Sequence, residues 1–159
     1  MSLPFSFDEP LVTERLSLRL MTEDDVDAVH DWMSDPEVVR YQLYDVRDRA
    51  TVAEKVAEYA LATRLESNGD YVQPAILVDG EVVGAIYFTL SSVDDLTAEI
   101  GWVLRRAHQG KGYAFEAASA MLSVAFGEMG LHRVYAELDP RNAASVALCL
   151  RLGMRHEAH

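Results

Sequence analysis

The chain of 159 residues carries 26 Asp and Glu against 14 Lys and Arg, a formal charge of −12, and half of it is apolar. A domain of that length buries roughly 70% of the surface its unfolded chain exposes, so neither disulfide nor metal is needed to hold a core. The acidity argues against surfaces that coat nucleic acid or anionic membrane, since both need a cationic face, and favours cationic partners.

Residues 1–12 read as an N-terminal arm or tag ahead of a single domain over 13–159. Leu16-Ser17-Leu18-Arg19-Leu20 alternates apolar and polar residues and predicts a strand. Thr22 then caps a helix with Glu23, Asp24 and Asp25 in its first turn and Val26, Val29 and Met33 on one face, stopped by Asp35-Pro36. A loop rich in Tyr, Asp and Arg leads to a second helix, capped by Thr51, with Val52, Val56, Tyr59 and Ala60 on one face and an end near Ser67-Asn68-Gly69. Apolar runs at 71–78 and 81–90 flank Asp79-Gly80, the signal of a two-residue hairpin. Another strand covers 98–104. A long helix starts after Gly110 and Gly112, with Phe115, Ala118, Leu122, Phe126 and Met129 on one face. Residues 134–138 read as a strand and 142–152 as a helix that groups Val146, Cys149 and Leu150 and is closed by Gly153. The order βααβββαβα predicts an α/β fold with a mixed sheet flanked by helices.

Cys149 is the single cysteine, so no intramolecular disulfide forms and no cysteine cluster holds a metal; the five histidines show no ligand spacing either. With no basic-then-apolar leader at residues 1–12 and no run of about 18 apolar residues, a cytoplasmic protein without a membrane partner is expected. The charge is uneven: residues 1–80 hold 17 acids and 7 bases, residues 81–159 hold 9 and 7. Such a split suits a cationic ligand on one side and an anionic one on the other, or simply a solvated acidic helix face.

The stretch from Arg105 to Ala114 carries the most chemical information. It joins a strand to a helix, where unpaired amides and the helix dipole suit a phosphate, and Arg105, Arg106 and Lys111 supply local cations. The glycine spacing fits neither a Walker loop nor a dinucleotide fingerprint. Gln109-x-x-Gly112-x-Ala114 instead resembles the acetyl-CoA pyrophosphate motif of the GNAT N-acetyltransferase superfamily. Thr13-Glu14-Arg15-Leu16-x-Leu18-Arg19, Asp35-Pro36-Glu37-Val38, Glu99-Ile100-Gly101-Trp102, Asn142-x-x-Ser145 and Leu152-Gly153-Met154 extend the likeness to the RimJ/RimL branch of ribosomal-protein N-terminal acetyltransferases.

That resemblance implies a GNAT fold, with a central twisted mixed sheet, and a cosubstrate, acetyl-CoA. Its pyrophosphate would lie on the amides of Gln109, Gly110, Lys111, Gly112, Tyr113 and Ala114. The backbone of Val103 and Leu104 would pair with the pantetheine arm where the sheet splays, and Asn142 would bond that arm or cap its own helix. The Val103 amide is the expected oxyanion donor. Relatives continue past the Leu-Gly-Met segment with two more strands, so the C-terminal strands are expected to be missing here.

Acetyl transfer to an amine needs a neutral nucleophile. Since an alkylamine has a pKa near 10, about one molecule in a thousand is neutral at pH 7, and a general base is required, directly or through water. Glu99 is the candidate: it shares a strand face with Gly101 and Val103, opposite Ala98, Ile100, Trp102 and Leu104, and a solvent-facing glutamate is the alternative. Cys149 stands where many GNAT enzymes carry a tyrosine acid, and Ser145 matches the serine that RimL-like enzymes use at the sulfur. Trp32, Tyr41, Tyr44 and Asp45, with Asp48, are weaker candidates for the acceptor side.

The expected activity is transfer of acetyl from acetyl-CoA to a primary amine in a ternary complex, without metal. The acceptor is a peptide N-terminus or a small cationic amine of the polyamine or aminoglycoside kind. A non-catalytic acyl-CoA-binding module and a homodimeric state stay open.

Overall fold

Asp79 and Gly80 both take positive φ, +50° and +81°, and so build the tight hairpin on which the sheet is centred. The computed structural model describes residues 2–157; the arm's first residue and the domain's last two, Ala158 and His159, lie outside them. In chain order the strands are β1 (Phe5–Ser6), β2 (Leu11–Val12), β3 (Ser17–Arg19), β4 (Arg64–Leu65), β5 (Tyr71–Val72), β6 (Ala75–Val78), β7 (Glu81–Ser92), β8 (Thr97–Leu104) and β9 (Arg133–Tyr135). The helices are α1 (Val26–Met33), α2 (Pro36–Val39), α3 (Arg49–Leu61), α4 (Tyr113–Gly127) and α5 (Ala143–Arg151).

The main sheet runs β2-β3-β6-β7-β8-β9, with β5 on β7 beside β6. All pairs are antiparallel except β8 with β9, which makes the sheet mixed, as expected. One face packs Leu18, Ile76, Ile86, Phe88 and Ile100 against Met121 and its neighbours on α4. The other packs Ala75, Leu77 and Ala85 against Val29, Trp32, Val52 and Val56 of α1 and α3.

Several local expectations change. The first helix begins as a 3-10 turn over Glu23–Asp25, with the Thr22 amide donating to the Asp25 carboxylate at 2.8 Å. Asp48, not Thr51, caps α3, since its carboxylate accepts from the Thr51 amide at 2.8 Å. That helix stops at Leu61, and β4 follows because residues 64–65 pair with β1 of the N-terminal arm, whose Phe7 is buried. The run 71–78 is split where Pro74, which has no amide to donate, separates β5 from β6. Along α4 the buried side chains are Ala117, Ala118, Met121, Val124 and Ala125, while Phe126 is 49% exposed. The helix is apolar nearly all round, so spacing alone could not choose the face, and the alanines win because they let the helix lie close to the sheet.

Candidate functional site

The turn before α4 is shaped by two left-handed glycines, Gly110 at φ +79° and Gly112 at φ +83°, the latter capping the helix. The backbone amides of Gly110, Lys111 and Gly112 reach no backbone acceptor among the described residues. The first turn of α4, Tyr113 and Ala114 included, adds the unpaired amides of every helix start. The Gln109 amide, expected in the cradle, donates instead to the Arg106 carbonyl at 3.3 Å, because it closes the short 3-10 turn before Gly110, and its Nε2 braces the entrance by donating to the Leu104 carbonyl at 3.1 Å.

Arg15 braces this turn. Its Nη1 donates to the Lys111 carbonyl at 2.9 Å and its Nε to Glu116 at 2.6 Å, while Thr13 Oγ1 and the Arg15 amide donate to the other Glu116 oxygen at 2.5 and 2.9 Å. Burial pushes the Glu116 carboxyl upward, but these hydrogen bonds outweigh it and keep the group below its ordinary range. Arg105 and Arg106, expected to face the anion, point elsewhere: Arg105 pairs with Asp31 and Glu81, and Arg106 with Asp35. Carboxylates within reach on α1, the β6–β7 hairpin and the start of α2 satisfy both guanidinium groups. Lys111 remains exposed beside the turn. A cleft of about 730 Å³ opens there and runs along α4 past Ser119 and Ser123 to Arg151.

β8 leads directly into this turn. Its last pairing with β9 is Glu99 with Tyr135, and beyond it the two strands part, as the expected splay requires. On its other edge β8 stays paired with β7 to Leu104. The phase of that ladder corrects one expectation. The Arg105 amide donates to the Val83 carbonyl at 2.8 Å, and antiparallel hydrogen-bonded pairs recur every second residue, so Val103 faces Ala85 and directs its own amide and carbonyl toward β7. The groups turned to the open edge belong to Ile100, Trp102 and Leu104. Val103 therefore contributes its side chain, packed on the α1 and α3 side, and its amide is not turned to the open edge as an oxyanion donor would be.

Glu99 lies on that same face, opposite Thr89 of β7 and Tyr135 of β9. Burial, with Glu137 nearby, raises its carboxyl above the usual carboxylate range. The Thr89 hydroxyl is buried without a hydrogen-bond partner among the described residues. Tyr135 reaches across to Ser91, hydroxyl to hydroxyl at 2.9 Å. A Cβ added at Gly101 would sit 3.8 Å from Tyr87, an ordinary contact, so the face beside Glu99 is roomy.

Asn142 caps α5, its Oδ1 accepting from the Ser145 amide at 3.2 Å, and its side-chain Nδ2 has no partner among the described residues. The Ser145 hydroxyl accepts from the Trp102 indole Nε1 at 3.1 Å, a contact that spacing did not reveal. Trp102 and Glu99 leave opposite faces of β8, so Glu99 and Ser145 flank the open edge from two sides and do not touch. Burial pushes the Cys149 thiol up, which suits packing rather than nucleophilic attack.

The remaining candidates lie around the segment between α1 and α3. Trp32 is fully buried, its indole N–H unpartnered, and so forms the layer beneath this side rather than its surface. Tyr44 packs against the same core under the Arg47 guanidinium, 3.9 Å from the ring centre, and burial pushes its phenol up to about 12. Tyr41 is half-buried under Arg40 and near Arg141, while Asp45 is exposed beside a hollow of about 630 Å³. No helix among the described residues is long and apolar enough to cross a membrane.

Residues 15–155 match the family model described as an acetyltransferase (GNAT) domain. The chain is 36% identical over 152 residues to an uncharacterized N-acetyltransferase, YnaD, of Bacillus subtilis (strain 168), covering 92% of this chain and 83% of that protein. A GNAT-family acetyltransferase from Bacillus anthracis superposes with a TM-score of 0.83 at 31% identity, over 94% of this chain and 86% of that one. A fold match at 19% identity and TM-score 0.76, covering 91% of this chain and 82% of the other, is RimL, a ribosomal L7/L12 α-N-protein acetyltransferase, in complex with coenzyme A.

Proposed function

The chain belongs to the GNAT acetyltransferase family and is an N-acetyltransferase; we propose that it transfers acetyl from acetyl-CoA to a primary amine by direct attack in a ternary complex, with Glu99 as base and Ser145 at the leaving sulfur. The observation that carries this reading is the arrangement around β8. Among the described residues its edge is unpaired by any strand past Glu99 and it ends at a turn of unpaired amides, and Glu99 and the Trp102–Ser145 pair flank it.

The residues present fit the cosubstrate. The amides from Gly110 to Ala114, with Lys111, suit a pyrophosphate, and the cleft along α4 toward Arg151 suits the nucleotide end. The open backbone groups of Trp102 and the amide of Leu104, whose carbonyl already accepts from Gln109, can pair with a pantetheine arm as a further strand would, and the Asn142 side chain can donate to the same arm. Acetyl-CoA supplies an acetyl group activated as a thioester.

Glu99 takes a proton from the acceptor ammonium or amine, directly or through water; its raised carboxyl suits proton transfer near neutrality better than an ordinary glutamate does. The nitrogen–carbon bond forms as the carbon–sulfur bond breaks. Open-edge amides of β8, from Trp102 or Leu104, are placed to stabilise negative charge on the acetyl oxygen. Because the Trp102 indole occupies a lone pair of Ser145, the serine keeps its own O–H to donate to the departing sulfur and is reprotonated from solvent. The acceptor is a protein N-terminal amine, as the RimJ/RimL likeness suggests, or a small cationic amine. A thiol-release screen over peptides and small amines tests this: Glu99-dependent release with a primary amine is expected, and release that ignores every amine contradicts it.

A further inference from the structure

We infer that the sheet face beside Glu99 receives an acceptor amine carrying a second positive charge, held by the tyrosines of β5 and β7. The inference rests on the reading of this face as the acceptor side. Along β7 the side chains on this face change character: Ala85 is buried under α1 and α3, but Tyr87, Thr89 and Ser91 follow it at every second residue. The register sets Gly101 opposite Tyr87, and both Glu99 and Tyr71 opposite Thr89. Three rings form a continuous row: Tyr59 and Tyr71 meet edge to face with centroids 6.2 Å apart, and Tyr71 and Tyr87 are 6.2 Å apart at 30°.

The second observation is Thr89. Its hydroxyl is buried with no partner among the described residues and lies between Tyr71 and Glu99 in the ladder, where a hydrogen-bonding ligand is wanted. The face has negative charge to match. Glu99 and Glu137 act on one another, and the guanidinium of Arg133 on β9 lies over the Tyr135 ring and pairs with Glu157 at 2.7 Å. Tyrosine faces attract ammonium and guanidinium groups, most strongly where water is partly excluded. Strand spacing places the row about 6–12 Å from the Glu99 carboxylate, which defines the separation between the two nitrogens of the acceptor.

The shared chemistry is a primary amine with a second cation, from a linear diamine or from a peptide with a basic side chain near its N-terminus. The test compares 1,6-diaminohexane with 6-amino-1-hexanol, and the peptides Ser-Lys-amide and Ser-Gln-amide, by thiol release and by calorimetry in the presence of CoA. The charged member of at least one pair is expected to show a KM and a Kd about fivefold lower. Tyr71→Leu and Tyr87→Leu should erase that preference, and Tyr71→Phe and Tyr87→Phe should retain it. Whichever pair shows it identifies the source. Equal affinities within both pairs, or a preference that survives both leucine variants, overturn the inference. Failure of the Glu99 role is distinct: it appears as an unchanged kcat in Glu99→Gln, whereas the calorimetric preference needs no turnover.

Discussion

The indole N–H of Trp102 donates to the hydroxyl of Ser145 across 3.1 Å, tying the strand beside the open edge to the first turn of α5. This contact orients the serine: with one lone pair taken, the hydroxyl proton is directed away from the indole. Trp102→Phe is expected to keep the fold and acetyl-CoA affinity and lower kcat about tenfold, with the Trp102→Phe/Ser145→Ala pair no slower than Ser145→Ala alone. Replacing the thioester by one with a more acidic thiol should shrink the defect, since that leaving group needs less help from a donor. A defect of equal size with both thioesters removes Ser145 from the sulfur.

Gly112 carries the turn before α4. At φ +83° any side chain is strained, and a Cβ would stand 3.2 Å from Arg15 Nη2. Gly112→Asp adds a negative charge where the pyrophosphate is proposed to lie, and calorimetry should show CoA affinity reduced at least a hundredfold with the fold retained. Arg15→Met, which frees the Lys111 carbonyl and leaves Glu116 without its guanidinium, should raise the Kd for CoA about tenfold at nearly unchanged kcat.

Gly84 is fixed by its neighbour. A Cβ there would collide with the Val103 carbonyl oxygen, so Gly84→Ala must force β7 and β8 apart. A loss of about 2–3 kcal/mol is expected in urea unfolding, together with lower acetyl-CoA affinity because the open edge moves with β8.

Asp25 is the buried charged residue of the described core. Arg19 grips both its oxygens, at 2.8 and 3.0 Å. Burial pushes its carboxyl up, but the Arg19 and Thr22 hydrogen bonds outweigh that and leave it below its ordinary 3.8. A depressed carboxyl contributes stability that is fully present above the unfolded value and is lost as pH falls through the folded one. Asp25→Asn should cost about 2–3 kcal/mol at pH 7. The gap between wild type and variant should close below about pH 4, which urea midpoints from pH 7 to pH 3 will measure.

Much of this was legible locally. The alternation in 98–104 placed Glu99 and Trp102 on opposite faces of β8, Asp79-Gly80 marked the hairpin, and the spacing of Gln109, Gly112 and Ala114 marked the turn before α4. What escaped depends on partners distant in sequence. Leu61 ends α3 because residues 64–65 pair with the arm, and Arg105 and Arg106 turn away because Asp31, Asp35 and Glu81 lie within reach. The direction of the Val103 amide follows from the phase of a ladder with β7, which no single strand reveals. The polar alternation of Tyr87, Thr89 and Ser91 was present in the sequence, but only the pairing of β5, β7 and β8 brings it beside Glu99.

The central claim is that Glu99 accepts the proton. With its carboxyl raised by burial and by Glu137, the acid limb of kcat should lie above pH 4.5, because the base is lost as pH falls through its raised value. The most direct test is kcat across pH for wild type and Glu99→Gln at saturating amine, with CoA affinity measured alongside. Glu99→Gln is expected to show a kcat at least tenfold lower, no acid limb from this group, and an unchanged Kd for CoA. An unchanged kcat with the same acid limb would contradict it.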